Sequence, residues 1–164
     1  MFKSQISLFN DDIDFLIDNI TPQDYDSLVF PENMDSLVIA GDYLDELVIP
    51  EGVRFACVSE LSLRKLVVPD SVIWLNCEDN CLRDLELPGG IEYVDAHNNF
   101  LTRLEFRTPP TELGVLNVEN NRLRSLDFEV TSNLYGLNTK INSHNDEPIE
   151  LSPSLKEFLA THEW

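Results

Sequence analysis

The hydrophobic positions of this chain return on a fixed beat. Leucines stand at Leu44, Leu63, Leu82 and Leu101, nineteen residues apart. Three residues after each come Leu47, Leu66, Leu85 and Leu104, and two further on Ile49, Val68, Leu87 and Phe106. Pro50, Pro69 and Pro88 close three of these copies. The frame runs back to Tyr25, Leu28, Phe30 and Pro31, and forward, past a three-residue stretching at "RTPPTELG", to Leu123, Leu126 and Phe128. A second frame lies inside each unit: Val72, Leu75, Cys77, Asn80; then Ile91, Val94, Ala96, Asn99; then Leu113, Leu116, Val118, Asn121; then Leu134, Leu137, Thr139, Asn142. Upstream it reads Met34, Leu37, Ile39, Asp42 and Val53, Ala56, Val58, Leu61.

Alternation such as Leu75-x-Cys77 is the period of a strand. One short strand cannot bury its apolar side alone, but stacked copies build a parallel sheet with a continuous core behind it. The second alternation, Leu85-x-Leu87, predicts the opposite wall. Nineteen residues leave little room for a helix between two strands and two turns. The prolines suit a turn or an edge, where no ladder donor is needed.

The pattern L-x-x-L-x-L-x-x-N-x-L resembles the leucine-rich repeat family over residues 25–160, about six to seven repeats. The unit "L-x-x-L-x-[VL]-P" looks most like the short bacterial effector-type and virus-type repeats. The resemblance implies a mainly β leucine-rich repeat solenoid, with a parallel sheet on the concave face and an extended convex side. It also implies use in protein recognition. The expected organisation is a single domain over 1–164, with an N-terminal cap at 1–24 and a C-terminal end at 161–164. A start at Met1 and end-like segments on both sides lead us to expect a full-length chain.

Asn80, Asn99, Asn121 and Asn142 recur where the chain leaves the strand. A buried amide there can satisfy turn backbone groups, so we expect a structural ladder. The ends depart from the repeat, as terminal repeats do. "FKSQISLF" alternates as a strand, and "IDFLIDNI" reads as either a capping strand or a short helix. At the other end, Ile149 and Leu151 form a convex pair. Leu155, Phe158 and Ala160 fall on the repeat register, which predicts a last strand. The competing reading is a short helix with Ser152 as N-cap and Pro153 at its first position.

Function on a solenoid lives in positions the core does not dictate, the outward residues between the apolar ones. One column reads Ser36, Phe55, Trp74, Tyr93, Val115, Gly136. Stacked strands lie roughly 4.8 Å apart, so Phe55, Trp74 and Tyr93 are expected to form an aromatic ridge of the kind that anchors partners. The next column reads Val38, Cys57, Asn76, Asp95, Asn117, Asn138, and the third Ala40, Ser59, Glu78, His97, Glu119, Lys140. The candidate partner-binding set is therefore Phe55, Trp74, Tyr93, Val115, Asn76, Asp95, Asn117, Glu78, His97 and Glu119.

His97 with Asp95, Glu78 and Glu119 invites a base or metal reading. No Ser or Cys nucleophile is registered beside it, and zinc asks for three or four converging ligands. We expect no catalytic residue, no cofactor and no metal. Cys77 takes a core position and Cys81 a turn position, so these two are not expected to meet on an ion. His144 and His162 have no evident partners. Arg64, Arg83 and Arg124 share one register, with Lys65 and Arg103 beside it, and face Asp84, Glu86, Glu105 and Asp127. Cross-copy ion pairs are the expected result.

Charge narrows the partners. Thirty acids face eleven bases, a net charge of −19 over 164 residues. That excludes a sequence-independent grip on nucleic acid or an anionic membrane, which needs Lys and Arg. It permits a protein partner with a basic surface. Three cysteines, no apolar leader and no long apolar run point to a soluble protein of a reducing compartment. The expectation is a cytoplasmic monomer, in a host cell if it is an effector or viral protein. It would bind a partner protein through the concave face without catalysis. The alternative is an acidic decoy that fills the basic groove of a nucleic-acid-binding protein, through Asp11, Asp12, Asp14, Asp18, Asp24 and Asp26.

Overall fold

Each apolar beat of the sequence becomes one rung of a parallel-strand β-solenoid of about five turns, with strands about nineteen residues apart. The computed structural model describes residues 15–20, 29–41, 43–142 and 148–162. The proposed strand in "FKSQISLF", Asp11, Asp12, Asp14, Asp24, Asp26, Asp42 and His144 lie outside the described residues, as do Tyr25 and Leu28 of the first copy.

Among the described residues, the main sheet has seven strands. They are β1 (Phe15–Ile20), β2 (Ser36–Gly41), β4 (Phe55–Cys57), β6 (Trp74–Asn76), β8 (Tyr93–Asp95), β10 (Val115–Asn117) and β12 (Gly136–Asn138). Every pairing is parallel. Of the two readings of "IDFLIDNI", the strand is the one formed, and it pairs with β2.

The opposite wall is made of β3 (Glu46–Val48), β5 (Lys65–Val67), β7 (Asp84–Leu87), β9 (Arg103–Phe106), β11 (Ser125–Leu126) and β13 (Glu150–Leu151). These join in parallel pairs, β3 with β5, β7 with β9, and β11 with β13. The strands alternate exposed and buried residues, as Asp84–Leu87 illustrates with Leu85 and Leu87 inward. The core lies between the two walls and holds the leucine beats of both frames, from Leu37 and Leu47 through Leu75 and Leu85 to Leu137. Fully burying one such leucine is worth about 1.5–3 kcal/mol.

The asparagine ladder forms as expected. Asn80 Oδ1 accepts the Leu61 and Leu63 amides at 3.1 and 2.9 Å, and its Nδ2 donates to Val58 O at 2.8 Å. Asn99, Asn121 and Asn142 accept from Leu82, Leu101 and Leu123 in the same way. Each of these asparagines is buried. The residue before the ladder position has a positive φ in five successive copies: Glu60, Asp79, Asn98, Asn120 and Ile141. Asn and Asp tolerate this left-handed conformation, whereas a β-branched residue is strained in it.

The C-terminal strand expected at Leu155, Phe158 and Ala160 is not formed. Residues Pro153–Thr161 are instead a helix, α1, that buries Leu155 and Phe158. The spacing L-x-x-F-L places Leu155, Phe158 and Leu159 on one helical face, so the pattern that mimicked the repeat register serves a helix equally well. Pro153 settles the choice, because its missing N–H and fixed φ suit a helix start. Ser152 takes the N-cap position but makes no capping bond. Its Oγ lies 3.4 Å from Phe128 O, tying the helix start to the preceding turn. Of the pair expected at Ile149 and Leu151, Leu151 joins this wall in β13, and Ile149, one residue before the strand, packs against the core with it.

Candidate functional site

The outward face of the main sheet carries the candidate residues in the register expected. Ser36, Phe55, Trp74, Tyr93, Val115 and Gly136 are direct cross-strand neighbours. Trp74 and Tyr93 stack, with ring centroids 5.0 Å apart and planes 6° from parallel. The Arg54 guanidinium sits 5.2 Å from the Phe55 ring centre. All three aromatics are half-buried, and Ser36 and Val115, which flank them, are buried. Burial raises the Tyr93 phenol to about 12, and the charges of Asp95, Glu78 and Tyr135 push in the same direction.

An open cavity of about 580 Å³ lies along this row, lined by Phe55, Trp74, Tyr93, Glu92, Glu112 and Tyr135, among others. Tyr135 was not picked out by the register, because it stands one residue before the row. Gly114 makes room for it: a Cβ there would meet the Tyr135 ring at 2.8 Å. The available signal was a lone glycine at position 114 opposite an aromatic one turn later.

The second column is largely withdrawn from solvent. Asn76, Asp95 and Asn138 are buried and Asn117 is half-buried. Each turns its Oδ1 to the backbone amide two residues on: Asn76 to Glu78, Asp95 to His97, Asn117 to Glu119 and Asn138 to Lys140, at 3.0–3.2 Å. These are Asx turns at the strand exits, repeated up the sheet. Glu78 of the third column is buried as well, and Glu119 accepts from Asn138 Nδ2 at 2.8 Å.

At the centre of this face three titratable side chains converge. His97 Nδ1 is 2.7 Å from Asp95 Oδ1 and 3.3 Å from Glu78 Oε2. The three offer one ligand atom each, all within 4.8 Å of one another. Burial pulls the His97 pKa down, but the Asp95 hydrogen bond and the charges of Asp95, Glu78 and Asp79 outweigh it and hold it above the ordinary histidine value. Asn117 Nδ2 lies 3.0 Å from Asp95 Oδ1 and 3.4 Å from His97 Nδ1.

Cys57 and Cys77 are buried and free, and burial raises both thiols above the ordinary value. His162 stacks on Phe158 at 4.2 Å beyond α1. Of the basic residues on the opposite wall, two pair across copies, Arg64 with Asp45 at 3.5 Å and Lys65 with Glu46 at 3.0 Å. Arg103 pairs with Glu105, and Arg107 with Asp70. Such exposed pairs contribute little stability each.

No protein-family model, curated protein or solved structure matches the chain. Among the described residues no helix is long and apolar enough to cross a membrane.

Proposed function

We propose that this chain is a non-enzymatic protein-binding module of the leucine-rich repeat type. It takes a partner protein on the concave face of its main sheet. The repeat L-x-x-L-x-L with its buried asparagine supports the family reading. The observation that carries the binding reading is the in-register aromatic row, with Trp74 stacked on Tyr93 beside Phe55 and an open cavity alongside. Aromatic anchors in a row supply large contact area at low conformational cost, and truncating a true anchor costs about 2 kcal/mol or more of binding. Glu92 and Glu112 at the cavity favour a partner whose contacting surface is basic.

The net charge of −19 favours a second reading, an acidic decoy for a basic groove. Salt separates the two. Exposed charges more than about 8 Å apart are screened at physiological ionic strength, whereas an aromatic contact is not. The test is a pull-down from native or host lysate with the wild type and a Phe55→Ala/Trp74→Ala/Tyr93→Ala variant, each at low and high salt. A partner lost with the variant and kept in high salt supports the aromatic site. A partner indifferent to the variant and lost in salt overturns it in favour of the decoy.

A further inference from the structure

We infer that Glu78, Asp95 and His97 form a binding site for a divalent transition-metal ion of the zinc class. The cluster is not merely acidic, since an imidazole nitrogen stands between two carboxylate oxygens. His97 Nδ1 carries one proton at most, and one N–H points in one direction. Yet Asp95 Oδ1 and Glu78 Oε2 both approach that nitrogen, at 2.7 and 3.3 Å. A proton serves one of these oxygens well, while an ion serves both at once.

The spacing suits an ion. Zinc binds nitrogen and carboxylate oxygen at about 2.0–2.2 Å, so tetrahedral ligand atoms stand roughly 3.4 Å apart. The Glu78 distance already has this value, and Asp95 needs to draw back by roughly 0.7 Å. Each ligand sits at a strand exit, Asp95 at the end of β8 and the other two just beyond β6 and β8. Asp95 is further oriented by the His97 amide and by Asn117 Nδ2. The Asn117 side chain is itself fixed by the Glu119 amide at 3.2 Å, so an outer shell exists.

Chemistry narrows the ion. One imidazole with two carboxylates suits a borderline transition ion better than calcium or magnesium, which prefer all-oxygen shells. Three protein ligands leave a fourth position for water or for a group from a partner. The His97 side chain is 25% exposed, so the site opens to solvent. This site is separate from the aromatic row and stands or falls apart from it.

The test uses the full chain stripped with a chelator and titrated with zinc chloride by calorimetry, with cobalt(II) absorption as a second readout. One ion per chain is expected, with intense visible cobalt bands of a four-coordinate site. His97→Gln and Asp95→Asn should each weaken binding at least tenfold, while His162→Gln leaves it unchanged. Asn117→Ala removes the donor that orients Asp95 and should weaken binding about tenfold. Should the ligand variants fail to fold by circular dichroism, the wild type decides: its melting temperature must rise with zinc and not with magnesium. No saturable binding, equal binding to folded ligand variants, or no zinc-dependent shift of the wild type overturns the site and leaves a proton-bridged cluster.

Discussion

The Asn80 side chain makes five hydrogen bonds to the backbone, so the effect of Asn80→Ala can be worked out in advance. Asn80 Oδ1 accepts two buried amides, from Leu61 and Leu63, and Nδ2 donates to Val58 O, Cys77 O and Glu78 O at 2.8–3.1 Å. Glu78 O keeps a second donor, the Glu60 amide at 3.2 Å. The Leu61 and Leu63 amides lose the acceptor they share. A buried donor left without a partner costs about 1–3 kcal/mol, so two give about 2–6 kcal/mol, centred near 4. Domains of this size have a total stability of about 5–15 kcal/mol, so the loss is a large share. Equilibrium urea unfolding followed by circular dichroism measures it, and hydrogen exchange at Leu61 and Leu63 localises it. The control is Asn133→Ala, whose exposed side chain donates to Thr111 O at 2.8 Å at a residue of ordinary φ, and it should cost about 1 kcal/mol or less. If Asn80→Ala costs no more than its exposed control, the claim that the ladder satisfies buried backbone is wrong.

Three further outcomes are expected. Ile141 is a β-branched residue at φ 55°, exposed, in a column otherwise filled by Glu, Asp and Asn. Ile141→Asn should therefore stabilise the protein by about 1 kcal/mol, a rise of roughly 2–4 °C in thermal melting. Tyr93 should titrate near pH 12 in the folded protein, against 10 for an ordinary tyrosine, in a tyrosinate absorbance titration. Between those values the folded state holds a proton that the unfolded state releases, so this contribution to stability falls as pH rises from 10 to 12; a normal titration at Tyr93 would refute the burial. Of the three cysteines, Cys81 alone is partly exposed, so a thiol reagent should label one site quickly in the native protein and three after denaturation.

The main sheet was legible because core spacing fixes strand register. Once Leu75 and Val94 point inward on a nineteen-residue repeat, Trp74 must neighbour Tyr93. The ladder asparagines were legible for the same reason, as polar residues at an otherwise apolar frame. Burial on the outward face was not, because it depends on how neighbouring columns cover one another. Asn76 and Glu78 alternate with the core yet are covered. Asp95 and His97 were seen together, but no spacing argument puts Nδ1 between two oxygens. The α1 helix is masked in the sequence because Leu155, Phe158 and Ala160 match the strand register, and i, i+3 apolar spacing belongs to both a repeat and a helix. Pro153 held the deciding information.

The ladder has a direction. Asn80, Asn99, Asn121 and Asn142 each accept amides that precede them in the chain, from Leu61 and Leu63, Leu82, Leu101 and Leu123 in turn. A turn is thus finished by the one that follows it. During synthesis the leading edge of the nascent chain always carries one turn whose amides await the next nineteen or so residues. Growth of the solenoid is accordingly a relay in which each new asparagine seals the unit before it, and a stall in translation leaves one raw face, whatever its length.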